Sequence, residues 1–265
     1  MRIFITTMDE PLYTNAFIKQ IICERKEDII GLAISEGNRF TITKTRSKLA
    51  YFTSLFLIMG PYHFTKNLLI EITFRMRKII SRTFHIIPSP SILNFASRQG
   101  IKTYVTRSVN DKEFLGILEE AKPDVIINQT QNFLKKKFLS IPSVGVINRH
   151  NALLPRNRGR LSPFWVLYKC ERETGVSIHF VNEELDAGDI IVQRKIEIEE
   201  NENFNSLVQK CYEIASQAML EALDLLEAGH YTLIHNDKHG ATYNTIPTLR
   251  QALMFRYSRI RVTCR

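Results

Sequence analysis

The sequence predicts an α/β fold: a mostly parallel sheet with flanking helices, a closing hairpin and a basic helical insertion. Three observations predict it. Apolar runs alternate with helically spaced segments over much of the chain. The run Val125-Ile126-Ile127 is short and β-branched, as strands covered on both faces are. Finally, the runs at 174–181 and 190–198 are joined by the short stretch NEELDAGD, which marks a hairpin. With 265 residues and 44% hydrophobic content, one large domain with a small appendage and a real core is expected.

Residues 2–6, RIFIT, read as the first strand, the spacing of Phe17, Ile18, Ile21 and Ile22 as a helix, and DIIGLAIS at 28–35 as the second strand. The loop between strand and helix, TTMDEPLYTN, lacks G-x-G-x-x-G, which argues against a nicotinamide enzyme. Residues 37–87 interrupt the alternation with two aromatic-rich, basic, helical stretches divided at Gly60-Pro61, each too short to span a bilayer. After Pro88 and Pro90 come a helix near 91–99, a strand at 103–106, a helix from Asp111 to Ala121 and the strand at 125–127. NFLKKKFL predicts a short helix, SVGVIN a strand, and 205–228 a long helix with Asn205 as its N-cap and Gly229 just past its end. The expected organisation is a catalytic domain over 1–230, carrying the insertion 37–87, and a short C-terminal extension over 231–265.

The net charge of +9 is unevenly spread. Residues 37–87 hold nine Lys/Arg against Glu71 alone, and 250–265 add five arginines and no acid, leaving the remainder at about −4. No specific nucleic-acid partner follows from that pattern. The insertion reads first as helices packed on the sheet with a solvated basic face, and second as a contact with an anionic membrane surface or as a site for another anionic partner. Cys23, Cys170, Cys211 and Cys264 are far apart, with no C-x-x-C and no zinc spacing, so no metal is expected and a reducing cytoplasm fits. The start MRIFITTMDE lacks the apolar core of a signal peptide, so the expected location is cytoplasmic, with the inner membrane surface as the variant reading.

The stretch GVINRHNALLPRNRG ends an apolar strand in a polar cluster. Asn148 and His150 are two apart and so share one side of an extended chain, at the carboxyl end of a strand, where open parallel sheets bind ligands. The amide can hold a developing oxyanion, and the imidazole can act as acid or base. A carboxylate is needed to orient the imidazole. Asp186, in the Asp-Ala-Gly turn, is the candidate, and Asp189 the rival, read rather as a turn or edge residue. His179 reads as a packed, hydrogen-bonded structural histidine.

INRHNALLPRNRG resembles the N-x-H-x-S-LLP-x-x-x-G signature of the folate-dependent formyltransferases, and TGVSIHFVNEELDAGDII resembles their downstream T-G-V…D-x-G-D segment. The likeness is high over 122–200, fair over 1–36 and 88–121, and poor in the insertion; Asn151-Ala152 replaces a small residue followed by Ser. The resemblance implies a Rossmann-like domain, 10-formyltetrahydrofolate as donor, and an Asn-His-Asp catalytic set at Asn148, His150 and Asp186. By the same match, Asn132, Phe133 and Leu134, with Asn182 and Glu183, would line the pterin pocket.

Acceptors in that family include methionyl-tRNA, glycinamide ribonucleotide and nucleotide-linked amino sugars. The tRNA enzymes carry a sizeable C-terminal barrel that the last 35 residues are too few to form, which disfavours tRNA. SPFWVLYKCERETGV resembles the amino-sugar branch. Arg156 and Arg158 are candidates to meet a diphosphate, with solvent-facing arginines as the plain reading, and Trp165 is a candidate acceptor contact or a core aromatic. The expected activity is N-formyl transfer to a nucleotide-linked amino sugar. The alternatives are another amine acceptor, methionyl-tRNA included, a non-catalytic folate or sugar-nucleotide binder, and a membrane-associated partner protein.

Overall fold

The computed structural model describes residues 1–37, 48–84 and 87–263. Arg39, Lys44 and Arg46 of the basic insertion, together with Cys264, lie outside the described residues. Strand β1 (Ile3–Thr7), helix α1 (Thr14–Arg25) and strand β2 (Ile29–Ser35) come first. Helices α2 (Lys48–Met59) and α3 (Pro61–Phe84) follow, broken at Gly60, whose φ of +79° suits a glycine and whose successor, Pro61, suits a helix start. Then come α4 (Ile92–Arg98), β3 (Thr103–Thr106), α5 (Lys112–Ala121), β4 (Val125–Asn128), the single turn α6 (Lys136–Leu139) and β5 (Gly145–His150). The two-residue β6 (Arg158–Gly159) and α7 (Ser162–Tyr168) lead into the hairpin β7 (Glu173–Phe180) and β8 (Ile190–Glu197). Helix α8 (Phe204–Ala228), β9 (Tyr243–Asn244) and α9 (Leu249–Thr263) complete the order.

The main sheet runs β3-β2-β1-β4-β5-β7-β8, parallel from β3 to β5 and antiparallel from β5 onwards. From β1 the chain builds outwards in both directions, so the order reverses between β1 and β4. A crevice forms at such a reversal, beyond the carboxyl ends of the strands. Side chains alternate across the sheet. Ile3 and Ile5 of β1, Val125 and Ile127 of β4, and Ile147 of β5 join the larger core, shared with α1 and α8. Phe4, Ile126 and Val146 point the other way, to Phe114, Leu118 and Phe138 on α5 and α6.

Helix α8 begins one residue earlier than its apolar spacing predicts. Asn203, not Asn205, is the N-cap: its side chain accepts from the N–H groups of Asn205 and Ser206, and the Ser206 hydroxyl takes the Asn203 N–H in return. Asn205 is freed to donate to the Met59 carbonyl, tying α8 to the end of α2. The two described helices of the insertion are docked on the body. Ile58 of α2 enters the main core, α2 packs along α9, and α3 is held by buried Phe74 and by Lys78, 2.6 Å from Asp9. The segment after 230, expected as a short appendage, is woven into the body: Ile234 bridges Ile190, β9 pairs with β6, and Phe255 packs on Phe164.

Candidate active site

Asn148 and His150 leave β5 on the same side, as their spacing requires, and both line a cavity of about 700 Å³ at the carboxyl ends of β4 and β5. Asp186, from the β7–β8 connection, lines it too. Its backbone takes φ +49°, and the neighbouring Gly188 is obligatory, because a Cβ there would lie 2.0 Å from the Phe180 carbonyl oxygen. This turn swings the carboxylate across to the strand that carries the imidazole.

A chain of donors sets the orientation of Asn148. Arg149 points to the opposite face, where its guanidinium lies over the Tyr212 ring, 4.1 Å from the centroid, and donates to Tyr212 Oη, to Asn151 and twice to Gln129 Oε1 at 3.1 Å. A guanidinium can only donate, so the amide oxygen of Gln129 faces it and the Gln129 nitrogen faces Asn148 Oδ1, at 2.8 Å. The Arg149 N–H donates to that same oxygen at 2.9 Å. With its oxygen doubly engaged, Asn148 keeps its Nδ2 hydrogens for the cavity.

His150 is fixed in the same way. Its Nε2 lies 2.8 Å from the Asn157 carbonyl, which can only accept, so Nε2 carries a hydrogen. Nδ1 is the ring nitrogen that faces Asp186, 3.6 Å from its Oδ2. Asp186 Oδ2 accepts the Gly159 N–H at 2.8 Å. His179 donates through Nδ1 to the Phe180 carbonyl at 2.7 Å, while its buried Nε2 has no hydrogen-bond partner and sits 3.9 Å from Asp186 Oδ1. It is therefore packed as the sequence suggests, but it forms one wall of the carboxylate's site. Burial, the largest influence on Asp186, opposes its charge. The facing imidazoles of His150 and His179, the Gly159 N–H and the Arg158 guanidinium outweigh it and hold the carboxyl below its ordinary range. Burial pushes His179 down to about 4, against the pull of Asp186.

Residues 78–223, more than half of the chain, match the family described as formyl transferase. The chain belongs to the formyl transferase family. The methionyl-tRNA formyltransferase of Kosmotoga olearia is 35% identical over 159 residues, covering 60% of this chain and 51% of that protein. The chain spans about half the length of the curated relatives it matches. Glycinamide ribonucleotide transformylase 1 of Symbiobacterium toebii has a TM-score of 0.59 at 15% identity, with 93% of each chain covered. The N-formyltransferase of Helicobacter canadensis, solved with folinic acid and dTDP-3-aminofucose, has a TM-score of 0.56 at 13% identity, covering 92% of this chain and 70% of that one. At these identities the likeness establishes the Rossmann-like fold.

In this formyl transferase family chain the five residues predicted around the pterin also line the cavity: Asn132, Phe133 and Leu134 on one loop, Asn182 and Glu183 on another. Asn132 is anchored by the Ser35 hydroxyl at 2.7 Å, Leu134 is rooted in the smaller core, and the Phe133 ring is 73% exposed. The three residues proposed for the acceptor do not line it. Arg156 is spent on Glu173, 2.9 Å away at the surface. Arg158 is wholly buried, donating to Asn236 Oδ1 at 2.6 Å, the Asn236 carbonyl at 3.0 Å and Tyr243 Oη at 2.8 Å. Trp165 belongs to the main core, its indole N–H bonded to the Thr245 carbonyl at 2.8 Å. Asp189 accepts from His235 and from the Asn236 N–H outside the cavity, and so acts as a turn residue.

Sequence reasoning missed Tyr51, Arg160 and Asn236. Tyr51 of α2 and Arg160, just after β6, both line the cavity. Arg160 stood two places from Arg158 in the same stretch, but the φ of +98° at Gly159 decides which arginine faces out. Asn236 donates to the carbonyls of Asp186 and Gly188, both at 2.9 Å, so that buried Arg158 and Asn236 clamp the Asp186 turn from behind. Nothing near residue 236 marks this role. Among the described residues no group of three His, Cys, Asp or Glu could hold a metal ion.

Proposed function

We propose that this chain transfers a formyl group from 10-formyltetrahydrofolate to the primary amine of a nucleotide-linked amino sugar. One observation carries the reading: the Asn148 amide and the His150 imidazole of β5 and the Asp186 carboxylate of the β7–β8 connection meet in one cavity, Nδ1 to Oδ2 being 3.6 Å. The fold and family supply the context. Leu134, Val181, Leu185 and the exposed Phe133 ring offer apolar walls for a pterin, and Asn132, Asn182 and Glu183 offer groups to read its polar edge.

In this mechanism the acceptor nitrogen attacks the formyl carbon and the C=O electron pair moves to oxygen. Asn148 Nδ2 and protonated His150 Nδ1 donate to that oxyanion, with Asp186 stabilising the imidazolium. The attacking amine loses a proton, which Asp186 passes through a water towards the folate nitrogen as the carbon–nitrogen bond to the folate breaks. The gap between Nδ1 and Oδ2 exceeds a direct hydrogen bond and suits such a shared site.

The acceptor class rests on Arg160, whose side chain has no hydrogen-bond or ion-pair partner among the described residues, and on Tyr51 beside the same cavity. A guanidinium suits a diphosphate, and a ring suits a base or sugar face. Methionyl-tRNA is the second reading, favoured by the names of the curated relatives. A cytoplasmic location accords with the free thiols of Cys23, Cys170 and Cys211. The test is to incubate the chain with 10-formyltetrahydrofolate and, separately, nucleotide-linked amino sugars and methionyl-tRNA, following acceptor mass. Mass gain by a nucleotide sugar is expected, falling roughly a hundred- to a thousandfold in rate in Asn148→Ala. Formylation of methionyl-tRNA alone selects the second reading. Undiminished transfer in both Asn148→Ala and Asp186→Ala removes the site.

A further inference from the structure

Helix α3 is amphipathic the wrong way round for a helix that only packs on its own domain. Its one buried side chain is Phe74, while Tyr62, Leu69, Ile72, Met76 and Ile79 are 48 to 72% exposed. Their spacing of seven, three, four and three residues places them on one outward stripe. At about 100° per residue, exposed Arg75 and Arg82 fall on one side of that stripe and exposed Lys66 and Arg77 on the other. The single acid of the helix, Glu71, is half-buried. Beside the stripe lies an apolar groove of about 640 Å³, between Leu69, Ile70 and Phe74 of α3 and Pro11 and Pro90, with Lys66 and Arg77 among its lining residues.

We infer that α3 is a membrane-surface helix, seating the protein in the plane of an anionic lipid bilayer. An apolar stripe flanked on both sides by cations with long aliphatic stems fits an interface: the side chains of the stripe enter the acyl boundary, and the guanidinium and ammonium groups rise to the phosphates. The helix lies on the bilayer and does not cross it, since no described helix is long and apolar enough to span one. A second copy of the chain is the poorer occupant. Arg75 is paired with Glu71 at 3.4 Å within the helix, but a two-fold contact along this stripe would set Lys66, Arg77 and Arg82 against the same three cations, with no exposed acid on the helix to answer them. This inference is independent of the acceptor, because none of these residues lines the catalytic cavity.

The test is co-sedimentation of the full chain with phosphatidylcholine vesicles, with and without phosphatidylglycerol, alongside sedimentation velocity without lipid. Binding is expected only to the phosphatidylglycerol vesicles, weakening as salt is raised. Arg77→Gln with Arg82→Gln should weaken it roughly 30-fold, at about fivefold per cation. Ile72→Gln with Met76→Gln should weaken it at least about tenfold. All four positions are exposed, and unchanged circular dichroism confirms the fold of each variant. Three results overturn the inference: no binding to anionic vesicles, wild-type binding by the Ile72→Gln/Met76→Gln variant, or a lipid-independent dimer that this variant dissolves while vesicle binding is absent.

Discussion

The cavity end of the sheet and helix α3 treat charge in opposite ways. Around Asp186 most polar side chains are buried and answered, Arg158 by Asn236 and Tyr243, Asn148 by Gln129, Gln129 by Arg149, with His179 Nε2 and Arg158 Nε as buried exceptions. On α3, Lys66, Arg77 and Arg82 stand in solvent beside exposed apolar side chains. The difference is energetic. A buried polar group left without a partner costs about 1–3 kcal/mol, so most of the site is built as a network of paired groups that also fixes each of them in place. An exposed cation costs nothing of the kind and remains available to an outside partner.

The sharpest way to break that contrast is Arg158→Met. It leaves the oxygen acceptors of Asn236 unanswered in the interior and removes a cation that favours the Asp186 charge, so a loss of about 3–5 kcal/mol in urea unfolding is expected. A loss below about 1 kcal/mol would mean that the clamp behind the turn contributes little. Next in size is the pH dependence set by His179. Its folded value of about 4 lies below the ordinary 6.5, so between those values the unfolded chain binds the extra proton and the folded one does not. Stability is therefore full above about pH 6.5 and falls by roughly 3 kcal/mol as the pH drops towards 4. Asp186, also held below its ordinary value, acts in the same direction as pH falls. His179→Asn should flatten this slope in unfolding curves taken at pH 7 and pH 4.5. The smallest effect belongs to α3: Ile79→Gln, on the exposed stripe, should shift stability by no more than about 0.5 kcal/mol. A larger loss would show that the stripe supports the fold of the monomer.

What could be read in the sequence followed from local periodicity. Alternation placed the strands, Gly60-Pro61 the break between α2 and α3, and N-x-H the two side chains sharing one face of β5. The N-cap of α8 was off by two residues because Asn203 and Asn205 are equally good capping chemistry, and only the reciprocal bond to Ser206 chooses between them. The acceptor residues were misjudged for a related reason. Arg156, Arg158 and Arg160 lie within five positions, yet one pairs at the surface, one is wholly buried and one lines the cavity. Their separate fates depend on Glu173, Asn236, Tyr243 and the left-handed turn at Gly159.

By itself the sequence determined the α/β class, the hairpin, the amide and imidazole on one face, and the carboxylate waiting in its turn, because each follows from a period of two or 3.6 residues or from turn chemistry within a few positions. Only the tertiary structure decided that Asp186 sits between two imidazoles, that Asn236 and Arg158 hold its turn, and that Tyr51 of the insertion reaches the cavity. Apart from His179 and Asp186, those pairings join residues tens of positions apart. They are chosen by which buried polar groups can satisfy one another once the sheet has closed, and no local pattern carries that information.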